Sequence, residues 1–267
     1  MNSFLQLNEI IAFFSDSIPY LIICPLAAVA GFVDAVAGGG GLISLPAFFI
    51  AGVPPHLALG TNKLMSTFGT SISTWRYIKA GYVSFLPAVC CIPCAFAGSS
   101  LGAILVLHVS AAYLKVMLLF LLPATACFLM RKRSLSANTE NFSVQKMIVA
   151  GMISASVIGI YDGFYGPGTG IFLILSLTLL AHMRLAQANG LTKIINLSTD
   201  VAGLTVFISS DSVIFSLGIA AAAFNIAGNY VGSGFFKLRG QNGCRLVMIA
   251  VICIFFVKVM YEIVGEL

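Results

Sequence analysis

Two lysines, two aspartates and two runs of glycine are the residues whose type and spacing suit chemistry in this chain. Gly31-Phe32-Val33-Asp34 leads to Gly38-Gly39-Gly40-Gly41 and then to Gly60-Thr61-Asn62-Lys63. Later, Gly159-Ile160-Tyr161-Asp162 leads to Gly166-Pro167-Gly168-Thr169-Gly170 and then to Gly190-Leu191-Thr192-Lys193. One pattern is written twice. Glycine permits unwound backbone and the close approach of a ligand. The N–H groups of such a segment, beside a helix N-terminus, attract anions. Lys63 and Lys193 lie in apolar sequence, where inserting a lysine into a bilayer costs about 2.5–3.5 kcal/mol. An acidic partner, water or a bound anion must compensate. The chemistry these residues suit is recognition of a small anion. Gly38, Gly39, Gly40, Gly41, Gly166, Gly168 and Gly170 would offer backbone. Lys63 and Lys193 would offer charge, and Thr61, Asn62, Thr169, Thr192 and Asn196 neutral hydrogen bonds. Asp34 and Asp162, in equivalent places, are the candidates for proton coupling.

Each feature also has a plainer reading. A glycine cluster can be a tight helix contact or a turn. A lysine near a helix end can snorkel to the interface. Asp34 and Asp162 can cap a half-helix or pair with the lysines. Thr and Asn in membrane helices often bond a neighbouring helix. Asp200 lies two helical turns beyond Lys193, but its counterpart is Thr70, so it stands outside the duplicated pattern.

The elements that position these residues are membrane helices. The chain is 59% hydrophobic and 9% charged, whereas soluble domains carry about 25% charged residues. The expected class is an all-α, polytopic membrane protein with roughly eight to ten membrane segments. Apolar runs cover 18–37, 42–53, 57–78, 83–107 and 111–130, then 147–165, 171–182, 185–209, 212–236 and 244–261. The runs starting at 42 and 171 are too short to span about 20 residues. They predict half-helices, re-entrant segments or tilted fragments, the signature of a transporter's binding site. Residues 1–19 contain no Lys or Arg and read as a surface segment leading into the first span, not a signal peptide.

The repeat reaches beyond the motifs. An offset of 130 (193 − 63) also matches Gly98-x-x-x-Gly102 with Gly228-x-x-x-Gly232, Lys115 with Arg245 and Met130 with Met260. Before the lysines the offset is 128 (162 − 34). Two halves, 1–130 and 147–267, are expected, joined by a basic cytoplasmic loop at 131–146. Arg76, Lys79, Arg131 to Arg133, Lys146, Arg184, Lys237, Arg239 and Arg245 set the cytoplasmic side. The loop after Lys79 is basic and its equivalent at Asp211 acidic, so the repeat is expected to be inverted.

The net charge of +5 therefore indicates orientation and not a nucleic-acid partner. The partners expected are a small-molecule anion and the lipid bilayer, with a monomer and a homodimer both open. No metal-ligand or catalytic spacing stands out among His56, His108 and His182, and no cofactor is expected. Cys91-Ile92-Pro93-Cys94 resembles a redox pair, but it lies in an apolar run and reads better as small buried residues. Trp75 and Tyr77 beside Arg76 read as an interfacial belt. The alternatives to a secondary transporter are an anion channel or, less favoured, an intramembrane redox protein using Cys91 and Cys94.

The run from Gly31 to Lys63, including Pro46 and Pro54-Pro55-His56-Leu57-Ala58-Leu59, resembles the TauE/SafE family of membrane transporters. Asp162, the Gly166–Gly170 cluster and Lys193 are similar to that family's second copy. The resemblance covers nearly the whole chain. It implies movement of sulfur-containing oxyanions or organosulfonates across the bacterial cytoplasmic (inner) membrane, without enzymatic chemistry and with possible proton coupling. The second copy departs from the first: Leu191 stands where the first copy has Thr61, and Thr192 where it has Asn62.

Overall fold

The computed structural model describes residues 2–111, 113–114 and 143–239, with side chains from residue 17 onward. Every element among them is an α-helix: α1 Asn2–Ala37, α2 Gly41–Ile50, α3 Pro55–Lys79, α4 Phe85–Leu107, α5 Val144–Phe164, α6 Thr169–Leu179, α7 Leu185–Ser209 and α8 at 215–239. Among the described residues, four stretches are long and apolar enough to cross a bilayer: Ser17–Ala37, Phe85–Leu107, Val144–Phe164 and Leu185–Ser209. Helix α3 has 25 residues but carries a polar face of Asn62, Lys63, Ser66 and Thr70, which lowers its hydropathy. Large apolar side chains such as Leu21, Phe85, Ile153, Val157 and Val231 stay exposed. Lipid is the solvent that suits such a surface. This is a polytopic helical membrane protein.

The short runs at 42 and 171 form short helices, α2 with 10 residues and α6 with 11. At 1.5 Å per residue each is about 15 Å long, half a bilayer. The first candidate span begins at Ser17, after the segment expected to lead into it. Helix α1 begins at Asn2, because no Gly or Pro interrupts residues 2–18. The connecting segment is described only from residue 143. The matches of Lys115 with Arg245 and Met130 with Met260 lie outside the described residues.

Helices α3 and α7 run antiparallel through the centre. The carbonyl of Ser212 lies against Gly60, Lys63 reaches Asp200, Thr74 Oγ1 donates to the Lys193 carbonyl at 3.1 Å, and the Tyr82 carbonyl lies against Gly190. Two parallel pairs flank them. Gly98 and Gly102 of α4 meet the carbonyls of Ser156 and Ile160 on α5, and Gly228 and Gly232 of α8 meet those of Ala28 and Phe32 on α1. The small-xxx-small spacing predicts this close approach, since packing and not hydrophobicity holds helices together in lipid. A side chain at any of the four would drive into backbone. Gly228→Val and Gly102→Val are each expected to abolish the monodisperse peak of detergent-extracted protein in size-exclusion chromatography. Val157→Ala, on the exposed side of α5, should leave it intact.

Tyr77 is a correction to the interfacial belt. It is fully buried, donating to the Ala35 carbonyl at 2.8 Å and accepting from Asn189 Nδ2 at 3.0 Å. Phe236 and Tyr82 pack on its ring. Trp75 remains half-exposed under Lys79 Nζ, which sits 4.0 Å from its ring centre. The helical period separates neighbours two apart in sequence onto different faces. Tyr77→Phe is expected to destabilise the protein by about 1–3 kcal/mol, by orphaning the Ala35 carbonyl and leaving Asn189 Nδ2 only its bond to the Val36 carbonyl, measured as a lowered melting temperature in detergent.

Candidate functional site

The two glycine clusters meet. Gly38 adopts φ +75°, and a Cβ there would lie 2.5 Å from Gly170 Cα; a Cβ at Gly170 would overlap Gly38 in return. Gly41 faces Pro167 Cα across the same junction. Gly166 and Gly168 also have positive φ, +98° and +80°, which only glycine adopts without strain. Gly40 folds back onto Ala30 and Asp34 of α1, so the chain reverses between α1 and α2. Tyr161 pins the second reversal by donating to the Pro167 carbonyl at 2.7 Å. No side chain caps α2 or α6. The first-turn N–H groups of Leu42, Ile43 and Thr169 bond the carbonyls of Gly39, Gly40 and Gly166, and the helix dipoles give the junction a positive potential.

The lysines are buried and paired across the halves. Lys63 of α3 bridges Asp162 of α5 and Asp200 of α7, the latter at 3.0 Å. Lys193 of α7 donates to the backbone carbonyl of Asp34 and lies 3.0 Å from its carboxylate. Lys63 is 5% exposed and Lys193 0%. Asp200 accepts further from Ser66 at 2.6 Å and Thr70 at 3.4 Å. Asp200 is the residue that the duplicated pattern misses, and its spacing seven residues beyond Lys193 was the available signal.

These groups surround one cavity of about 610 Å³, a figure that includes the open space at its mouth. Asp34, Gly38, Gly40, Gly41, Asn62, Lys63, Asp162, Gly166, Thr169, Gly170 and Asn196 line it, as do Ser66, Tyr165 and Asp200. The remaining candidates, Gly39, Thr61, Gly168, Thr192 and Lys193, are not part of the lining. Thr61 Oγ1 instead accepts from the N–H of Ile214 at 2.9 Å, holding the start of α8. Lys193 is walled off by its contacts with Asp34, and Gly168 serves the turn. A one-residue step on a helix rotates a side chain by about 100°, which separates Thr61 from Asn62.

The family model described as "Sulfite exporter TauE/SafE" matches residues 23–259. The chain belongs to the TauE/SafE family. It is 34% identical over 225 residues to the "Probable membrane transporter protein ORF9" of Sinorhizobium sp, covering 84% of this chain and 86% of that one. It is 32% identical over 241 residues to the "Probable membrane transporter protein YfcA" of Escherichia coli strain K12, covering 90% and 89%. A probable membrane transporter protein of Haemophilus influenzae is 29% identical over 234 residues, covering 88% and 91%. No solved structure matches. As a TauE/SafE chain, this is a member of a membrane-transporter family.

The charge balance of this TauE/SafE cavity is specific. Three carboxylates, Asp34, Asp162 and Asp200, face two ammonium groups, Lys63 and Lys193. Fully ionised, the five groups sum to one negative charge. The lysines are therefore structural partners of the carboxylates as well as sources of positive potential. Cys91 and Cys94 are free thiols, with Cys91 buried against Gly151 between α4 and α5.

Proposed function

We propose that this chain is a secondary transporter of a small anion, a sulfur-containing oxyanion or organosulfonate, in a bacterial inner membrane. It moves the anion unchanged by alternating access. The observation that carries the reading is the convergence of two uncapped half-helix N-termini and the Lys63–Asp162–Asp200 cluster on one cavity. Anions favour such N-termini, and paired half-helices at matching positions are how transporters build substrate sites.

The halves 1–130 and 147–267, joined at 131–146, act as an inverted repeat. Antiparallel α3 and α7, with matched glycine contacts on both flanks, support that arrangement. Rocking one half against the other around the Gly38–Gly170 contact would expose the cavity alternately.

The excess carboxylate supports coupling. A site with net charge −1 repels an anion unless a cation accompanies it, and a proton on the Asp162–Asp200 pair or on Asp34 fills that role. Counterflow of labelled sulfite in proteoliposomes tests the transport claim. Loaded vesicles should accumulate label transiently, and an imposed pH gradient should drive uptake of the anion. Conduction without counterflow, tracking only the membrane potential, would replace the transporter by a channel.

A further inference from the structure

Helix α1 ends at Ala37, and the last carbonyls of a helix have no partner within it. Two of them are taken up by side chains from the two central helices. Tyr77 of α3 donates to the Ala35 carbonyl at 2.8 Å. Asn189 Nδ2 of α7 donates to the Val36 carbonyl and to Tyr77 Oη, both at 3.0 Å. Both side chains are fully buried. Three hydrogen bonds therefore tie α1, α3 and α7 together at one end of the molecule. That end carries Arg76, Lys79 and Arg184, which makes it cytoplasmic by the positive-inside trend.

The duplication identifies what stands at the opposite end. The offset of 130 (207 − 77 and 189 − 59) sets Phe207 against Tyr77 and Leu59 against Asn189, and the offset of 128 (163 − 35) sets Gly163 against Ala35. The backbone contacts are alike at the two ends: Gly190 meets the Tyr82 carbonyl, and its counterpart Gly60 meets the Ser212 carbonyl. The side chains differ. Neither Phe207 nor Leu59 can donate a hydrogen bond. Phe207, Leu59 and Gly163 line the cavity, whereas Tyr77, Asn189 and Ala35 do not. On α3 the lining stops at Ser66, and on α7 it begins at Asn196. Tyr77 stands about 16 Å and Asn189 about 10 Å beyond those limits, at 1.5 Å per residue. The cavity reaches the end that lacks these hydrogen bonds and stops short of the end that has them.

We propose that Tyr77 and Asn189 form the cytoplasmic gate of the transport cycle. Their bonds to the end of α1 hold the site closed on that side, and Phe207 and Leu59 form the weaker gate opposite. Opening to the cytoplasm breaks three buried hydrogen bonds, while opening outward only separates apolar side chains. The resting protein therefore faces outward. This rests on the alternating-access reading above and adds its sidedness.

The test is labelling of one introduced thiol from each face of the membrane. Ser44 of α2 lines the cavity and is buried. Ser44→Cys is placed in the full chain with its seven native cysteines replaced by alanine. The probe is the impermeant cation trimethylammonioethyl methanethiosulfonate, applied to right-side-out and inside-out membrane vesicles. Labelling is expected to be at least about tenfold faster from the outer face, the bias that three modest hydrogen bonds supply. Tyr77→Phe with Asn189→Leu writes the outer pair at the cytoplasmic end, and should shift the ratio towards the cytoplasmic face by at least about tenfold. Phe207→Tyr with Leu59→Asn supplies the missing donors at the outer end, and should slow labelling from that face. A loss of packing alone would not change which face is labelled. Faster labelling of the parent from the cytoplasmic face, or from neither face, overturns the proposal. An unchanged ratio in a double variant that folds and retains sulfite counterflow overturns the gate and leaves alternating access standing. Equal labelling from both faces throughout, with conduction and no counterflow, overturns the gate and the proposed function together.

Discussion

Lys63→Met is expected to stop transport and to destabilise the protein by about 3–5 kcal/mol, the usual penalty for leaving a buried charge without its partner. The substitution removes the one ammonium that Asp162 and Asp200 share, so two carboxylates on different helices would face each other in a cavity of low dielectric. The folded yield should fall steeply. Lys63→Met combined with Asp162→Asn removes one charge of each sign and leaves the sum unchanged. That double variant is expected to recover folded protein and thermal stability, but not counterflow. A functional double variant would make the lysine a structural tie alone. Lys193→Met should be milder in stability, since it leaves one carboxylate, Asp34, which is more exposed than the others.

Gly170→Ala is expected to slow transport by about a hundredfold while the protein still folds. Gly170 lies within helix α6, where alanine is the better helix former. The added methyl has no room, because Gly38 fills the space it would need. The two half-helix N-termini would have to separate by a fraction of an ångström to one ångström. Misplacement on that scale degrades a preorganised site by about two orders of magnitude. Gly41→Ala supplies the graded comparison. Its Cβ would lie 3.1 Å from Pro167 Cα, a contact that a small shift relieves, so its effect should be much weaker. Initial rates in proteoliposomes, normalised to folded protein, measure both.

Much of the fold was legible because lipid imposes simple rules. Run length separated the half-helices α2 and α6 from the spans, and small-xxx-small spacing marked Gly98–Gly102 and Gly228–Gly232 as places of close packing without naming the helices they meet. Duplication drew attention to Lys63, Lys193, Asp34 and Asp162. What duplication could not give was the pairing: each lysine reaches the aspartate of the opposite half. Asp200 was noted but set apart, because symmetry singles out only what occurs twice, and here Thr70, its counterpart, touches it directly. Tyr165 carries no pattern at all; only its place in the cavity wall singles it out. Thr61 and Thr192 fell within the motif but outside the cavity, since sequence proximity does not fix which helix face meets which neighbour.

In the proposed transporter the oxyanion sits where the two half-helices meet. The most direct measurement is anomalous diffraction from crystals of the full chain grown with selenite, whose scattering locates the ion independently of the protein phases. A peak is expected inside the cavity bounded by Gly41, Tyr165 and Thr169, absent from crystals of Gly170→Ala grown the same way. Crystals of protein that binds selenite in solution, with the peak elsewhere and this cavity empty, would contradict it.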